Sequence, residues 1–292
     1  MTEKPWVVPY DNIIAICNEN GTHVELIEQT NCYGGAAWAR HHFLSSSSLI
    51  LESKTIGNSS RYLLKTGKSR LNLVPSVSAA GIESVIIKEN TVEVTYAGMG
   101  GGGVGATACR SLAKDVLKCE MTESGGSKLS RGTITLPRLK RVIIGVDDTD
   151  TTEEGATWAL VHNIASKFEN KNSRYISHSI VQLFPVQKKT QNCVSTVVEF
   201  ACTDEHKLIK NFRKHLLELT LSDETGMAVL QSFDAESLEK FGKLCKSKEV
   251  KKEDAIAASE DNNVQIEIDG LGIIGAVASL PYFGRPSESV KI

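Results

Sequence analysis

Residues 141–158 read RVIIGVDDTDTTEEGATW, and few stretches restrict a fold so tightly. Residues 142–146 form an apolar run, rich in β-branched side chains, that suits a strand covered on both faces. Three carboxylates, Asp147, Asp148 and Asp150, follow within four positions. Beyond them Trp158, Val161, Ile164, Ala165 and Phe168 recur at the spacing of one helical stripe. A strand end beside a helix start is where open α/β sheets hold their ligands. Carboxylates this close repel one another in a low dielectric unless a cation or strong donors offset them. Mg²⁺ suits such a place, taking one or two carboxylates and completing its shell with water and phosphate oxygens. The spacing therefore predicts Asp147, Asp148 and Asp150 as metal ligands. It also predicts a phosphate received at Gly155 and the helix start through Thr157. Thr151 and Glu154 have capping-box spacing, which favours a helix beginning there. The plainer alternative is that Asp150 or Thr151 caps the helix and the other aspartates make a turn. Three carboxylates after one apolar strand favour the metal–phosphate reading.

A chain of 292 residues has room for about two domains. Residues 13–16 and 24–27 read as a hairpin about the turn 18–21, and 82–87 with 92–97 as a second about 88–90. Residues 32–42, rich in Gly, Ala and His, carry no clear periodicity. Residues 45–48 read as a serine loop and 60–65 as a short strand. The glycine run 98–106 precedes helical spacing at Ala108, Leu112, Ala113, Val116 and Leu117. Residues 124–137 read as a connector with a short strand at 133–136, which sets domains at 1–137 and 138–292. In the second, strands are expected at 176–184, 194–200 and 264–268. Helices are expected at 205–219 and, after a glycine turn, within 270–280, with 243–263 as a surface insertion. This order points to an α/β, mixed α+β class, each domain a mixed sheet with packed helices.

Net charge is −2, so no basic field draws nucleic acid or an anionic membrane over the whole surface. The basic cluster 240–252 is interrupted by Glu249 and reads as a solvated loop. The N-terminus lacks a signal-peptide pattern, and no run approaches the ~18–20 apolar residues that span a bilayer. Seven scattered cysteines without a C-x-x-C pair argue against a disulfide framework and a zinc ribbon, and fit a reduced, cytoplasmic protein. His41 and His42, near Cys32, would point to opposite faces of a strand and so do not share an ion. Cys32 and Cys193 have no neighbouring base in sequence that would mark a reactive thiol. Trp158 and Phe168 are assigned to the core.

GVDDTD followed by GAT resembles the G-[IV]-D-D-T-D-S…G-G-C-T-T signature of the kinase-like domain of archaeal tRNA-isoleucine agmatinylcytidine synthetase, with Ala156 in place of its cysteine. Residues 181–192, VQLFPVQKKTQN, are similar to that family's R-L-N-P-x-x-P-x-K-T-R-G/N loop, and residues 272–278, GIIGAVA, to its G-x-I-G-A-L-A stretch. The resemblance implies aspartates that bind Mg²⁺ and ATP phosphates, with Lys189, Thr190 and Asn192 carried over from the loop. The synthetase continues into an oligonucleotide-binding fold and a cysteine zinc ribbon, which have no counterpart here, and this argues against tRNA as a partner. The whole chain, with its WVVPY, CYGGAAW and AAGIES stretches, resembles methanogenesis marker protein 11, an archaeal family that travels with methanogenesis.

The leading expectation is an ATP- and Mg²⁺-dependent phosphotransferase or ligase acting on a cofactor precursor or a protein. Asp148 and Lys189 are its catalytic candidates, and nucleotide contacts fall at Gly155, Thr157, Lys189, Thr190 and Asn192. The glycine run follows a strand, so Gly101 and Gly103 are candidates for cradling phosphate, with a flexible lid as the alternative. Two other functions stay open. One is a nucleotide-binding assembly or maturation factor for a methanogenesis enzyme. The other is a haloacid-dehalogenase-like phosphatase, since Asp148-x-Asp150-x-Thr152 fits D-x-D-x-T, although no second acidic pair follows 264–268. A homodimer also stays open.

Overall fold

The computed structural model describes residues 4–123, 125–187 and 189–292. The chain divides into two compact units, Met1–Leu139 and Lys140–Ile292. In the first, β1 (Asn12–Cys17) and β2 (His23–Gln29) pair antiparallel, with Asn12 opposite Gln29. Their turn is closed by Asn18, whose Oδ1 accepts from the backbone N–H groups of Thr22 and His23. Helix α1 (Tyr33–Ser46) leads to β3 (Ile50–Ile56) and β4 (Ser59–Lys65), and β4 pairs with both β2 and β3. Then come β5 (Gly67–Lys68), β6 (Ala80–Ile87), β7 (Thr91–Met99), α2 (Gly101–Thr107), β8 (Lys118–Met121) and β9 (Leu129–Asp147). Strand β9 runs parallel to β1 and antiparallel to β7 and β8, which makes the sheet mixed.

A buried ion pair sits in this unit's apolar core. The Arg110 guanidinium donates to both carboxylate oxygens of Glu28, at 2.6 and 2.7 Å, and to the Tyr10 hydroxyl at 2.9 Å. Tyr96 donates to the same carboxylate, and the guanidinium lies 4.4–4.8 Å from the ring centres of Tyr10, Phe43 and Tyr96.

Residues 140–147 of β9 enter the second unit as its central strand. There α3 (Thr157–Lys167), β10 (Ser173–Gln182), β11 (Val194–Cys202), α4 (Glu205–Leu219), β12 (Gly226–Leu230), α5 (Glu239–Ser247), α6 (Lys252–Asp261), β13 (Gln265–Asp269), α7 (Ile273–Ser279) and α8 (Pro286–Ser289) follow. The strands lie in the order β10-β11-β9-β12-β13, antiparallel at every pairing among the described residues. Val142, Ile144 and Val146 pack with α3 and α4, while Ile143 packs on the other side with α5, α6 and α7. Covered on both faces, β9 has no need of polar alternation, which is why its apolar run is unbroken. The class is the expected mixed α+β.

Several local expectations change. Residues 33–42 belong to α1, with Cys32 just before it, and there the buried His42 ring stacks on Trp38 at 3.7 Å and its Nδ1 accepts from the Ala79 N–H. The glycine run is itself the helix α2, and residues 108–117 hold only a single 3₁₀ turn, Arg110–Leu112. Most of the expected connector is β9; its first residue, Ser124, lies outside the described residues. The supposed insertion 243–263 contributes α5 and α6, with Cys245 and Ala255 in the core. Trp158 lies on the outer side of α3 and is 47% exposed. No helix among the described residues is long and apolar enough to cross a membrane.

Candidate nucleotide and metal site

Strand β9 delivers Asp147 to the end of the sheet, opposite Gly226 of β12. Helix α7 lies hard against this strand end, and the approach depends on glycine. A Cβ on Gly145 would stand 2.0 Å from the Ala276 carbonyl oxygen, and one on Gly226 would stand 2.1 Å from Gly272. A Cβ on Gly275 would stand 1.8 Å from Oδ2 of Asp147. The Asp147 carboxylate thus occupies the space that any side chain at 275 would need.

The chain turns sharply after Asp147. Asp148 adopts φ 54°, donates its N–H to Asp147 Oδ1 at 2.9 Å, and its carbonyl accepts from Thr225 Oγ1 at 3.1 Å. Left-handed backbone is unfavourable for a side chain with a Cβ, so the surrounding bonds must hold it. Burial, first, and then the Asp148 charge keep the Asp147 carboxyl well above the ordinary carboxylate range. Asp148 is pushed up to about 6 by burial, then by Asp150 and Glu224. Among the described residues, neither carboxylate has a cationic side chain within ion-pair distance.

Asp150 has a different role. Its Oδ1 accepts from Thr190 Oγ1 at 2.8 Å and from Thr157 Oγ1 at 3.4 Å, in a buried position. Thr157 Oγ1 in turn accepts from the N–H and Oγ1 of Thr149, both at 3.1 Å. The hydroxyls of Thr157 and Thr190 are therefore engaged in holding the acidic loop. Gly155 takes φ 100° beside Asp150, and its carbonyl accepts from Gln191 Nε2. The capping-box expectation is corrected too. Thr151 and Glu154 close a tight turn of their own, and α3 begins at Thr157.

The expected three-carboxylate cage is not assembled. Among the described residues no group of three His, Cys, Asp or Glu could hold a metal ion. Asp147 and Asp148, with Lys189 and Asn192, instead line a cleft of 390 Å³ in the second unit. Lys248, Lys251 and Lys252 line it as well; the first two are exposed in the loop between α5 and α6, so only the flanking parts of the basic run depart from the expected solvated loop, by being helical. The signal for them was the basic run itself; what was missing was its placement across from the aspartates by α5 and α6. Lys252 is partly committed to Asp269, at 3.0 Å. Glu249 and Glu253 line the cleft too, so carboxylates and lysines share it, a mixture that suits a metal-bound polyphosphate. Mg²⁺ needs only one or two protein carboxylates when phosphate supplies the rest. Ser195, across from Gly275, is buried with no hydrogen-bond partner for its Oγ, a further unused oxygen at this place. Gly101 and Gly103 belong to the first unit and do not line this cleft. Gly103 packs against Ser130, and Gly101 lines a different cavity.

Comparison with known proteins places this geometry. The TiaS TCKD domain family matches residues 143–209, from β9 through the acidic loop and the Lys189 loop into α4. Helix α7, with Gly275, lies beyond the matched span. Uncharacterized protein MJ0921 of Methanocaldococcus jannaschii is 45% identical over 293 residues, spanning 98% of this chain and 97% of its own length. The chain belongs to the MJ0921 family. That relative's name gives neither a reaction nor a link to methanogenesis. Among solved structures, the complex of TiaS with an isoleucine tRNA and ATP is 20% identical at a TM-score of 0.46, covering 48% of this chain and 36% of its own. The complex of TiaS with the same tRNA, AMPCPP and agmatine is 20% identical at 0.44 with the same coverage. Apo TiaS, a tRNA agmatidine synthetase, is 18% identical at 0.43, covering 48% and 35%. This chain thus spans about a third of the solved chains it resembles.

These relatives correct one expectation. The match of residues 143–209 to the TiaS domain family overturns the exclusion of tRNA as a partner. The physical error lay in letting a net charge of −2 decide the matter, since a total says nothing of how charge is distributed locally.

Proposed function

We propose that the MJ0921 family protein is an ATP- and Mg²⁺-dependent enzyme, a phosphotransferase or a ligase that activates its substrate by phosphorylation. The observation that carries this reading is one cleft lined both by the adjacent carboxylates Asp147 and Asp148 and by Lys189, Lys248, Lys251 and Lys252. Asp147 and Asp148 would hold the cation, which when bound offsets the charge of the phosphate oxygens. Lys189, Lys248 and Lys251 would draw the polyphosphate into place, and Asn192 would orient it. Catalysis of this kind is mostly positioning and electrostatics, so a site without an obvious nucleophile is no obstacle. The substrate class includes a cofactor precursor, a protein or an RNA, and the link to methanogenesis belongs with this proposal.

The phosphatase alternative fares worse, because Asp150, its acid–base residue, is bonded to two threonines. The assembly-factor alternative shares the same site and differs only in turnover. The test is ATP binding by calorimetry with and without Mg²⁺, followed by single-turnover hydrolysis. Mg²⁺-dependent binding is expected in the wild type, weakened at least tenfold in Asp148→Asn and in Lys248→Ala/Lys251→Ala. A wild type that binds no ATP in the presence of Mg²⁺ refutes the proposal; binding without any hydrolysis favours the assembly factor.

A further inference from the structure

The first unit contains a cavity of 550 Å³ that the nucleotide site does not use. Tyr10, Trp38, Phe43, Ala79, Met99 and Ala106 supply its apolar walls, and α2 forms one side. This volume falls in the range of small-molecule sites, which are mostly apolar with a few polar groups.

The glycines of α2 say more. Glycine is a poor helix former, yet four of the seven residues of α2 are glycine. Two have a packing reason. A Cβ on Gly102 would meet Trp38 and the Ala79 carbonyl at 3.0 Å, and one on Gly103 would meet Ser130 Oγ at 2.3 Å. The other two have none. A Cβ on Gly101 or Gly105 would meet nothing within 4 Å among the described residues, and neither residue takes a positive φ. Both line the cavity. Their missing side chains leave its wall open at the cost of helix propensity, which is what a ligand site requires and a packed core does not.

The chemistry of the wall is neutral. Arg110 reaches the cavity, but its charge is matched by Glu28 and its Nη1 donates to the Gly105 carbonyl at 2.6 Å. The remaining polar side chains there are hydroxyls, Thr30, Ser76 and Ser127, and the exposed thiol of Cys32. Trp38 rests one side of its ring on His42 and stays 42% exposed. We propose that this cavity binds a neutral, largely apolar small molecule, with Trp38 as a stacking surface and Cys32 within its reach.

The test uses the full chain and N-phenyl-1-naphthylamine, an uncharged fluorophore. Saturable one-site binding is expected, together with slower alkylation of Cys32 by iodoacetamide, read by peptide mass spectrometry. The anionic 8-anilinonaphthalene-1-sulfonate should bind at least tenfold more weakly. Gly105→Leu and Gly101→Leu place a side chain where nothing stands in the way. Each should weaken the neutral probe at least tenfold while leaving the melting temperature and ATP binding unchanged. No saturable binding in the wild type, no protection of Cys32, or full binding by both leucine variants overturns the proposal. Equal binding of the two probes overturns the neutral assignment. ATP binding is read separately, so failure of this site leaves the nucleotide reading intact, and the reverse.

Discussion

Replacing Gly275 by alanine separates the architecture of the acidic site from its chemistry. The new methyl would begin 1.8 Å from Asp147 Oδ2, 2.8 Å from its Cγ and 3.0 Å from Ser195 Cβ. Ordinary carbon–oxygen contacts begin near 3.4 Å, so the carboxylate must move by about 1.5 Å or rotate away. The nearest atoms belong to a flexible side chain, whereas a methyl at Gly145 would strike the Ala276 carbonyl and force backbone apart. Gly275→Ala should therefore fold, losing about 1–3 kcal/mol to overpacking. For a unit of this size that corresponds to a melting temperature lowered by roughly 2–10 °C. Mg²⁺-dependent ATP binding should fall at least tenfold, because a carboxylate displaced by that distance cannot share a cation with Asp148. The assays are calorimetric ATP titration with Mg²⁺ and thermal unfolding, repeated in Gly275→Ala/Asp147→Ala. The double variant should recover stability, since the clash is gone, without recovering binding. A Gly275→Ala protein that binds Mg²⁺ and ATP as the wild type does would refute the claim that Gly275 sets the position of Asp147.

Two further outcomes follow from buried charge. Asp148 titrates near 6 in the folded chain against 3.8 when free, so ionising it opposes folding, and the stability present below 3.8 is lost as pH rises through 6. That shift is worth about 3 kcal/mol in a dry site and about 2 kcal/mol once solvent at this partly open group is allowed for. The gain in melting temperature on adding Mg²⁺ should accordingly be larger at pH 7.5 than at pH 5; equal gains would count against cation binding at this carboxylate. In the first unit, Glu28→Gln leaves the Arg110 guanidinium buried without its counter-charge and should cost about 3–5 kcal/mol by urea unfolding. A loss below 1 kcal/mol would show that the three surrounding rings compensate the cation unaided.

The central strand and the acidic loop were legible because their pattern is local: an unbroken apolar run, then carboxylates, then a helical stripe. Helix α1 was not, since its alternating small and polar residues give no stripe, and what fixes it is long-range: the Ala79 N–H on His42, Ser46 Oγ on the Ala80 carbonyl, and Ala39 and Phe43 in the core. The glycine run read as a loop for a related reason. Its helix is held by backbone-to-backbone packing against Gly98 and Ala79, which propensity does not express. The basic run 240–252 was misplaced because its few apolar residues, Phe241 and Cys245 among them, are enough to seat α5. In the site itself, the aspartates were found as a group, but spacing could not tell which of them face the cleft. That division depends on Thr157 and Thr190, seven and forty residues farther along the chain.

This division bears on the alternative that the acidic loop is only a helix cap. Asp150 does perform structural work of that kind, since through Thr157 it anchors the first turn of α3 to the strand end. If all three aspartates served that purpose, all three would be satisfied by donors. Asp147 and Asp148 are less so: Asp147 accepts one backbone N–H, that of Asp148, partial burial and neighbouring carboxylates oppose the ionisation of both, and no cationic side chain among the described residues pairs with either. Carboxylates crowded together without a cation resist ionisation, and here two partly buried ones are placed side by side. Gly275 is held to a hydrogen so that one of them can be there, and Asp148 occupies a left-handed backbone so that the other can. A turn or cap gains nothing from these costs; a site for a divalent cation carrying a nucleotide does.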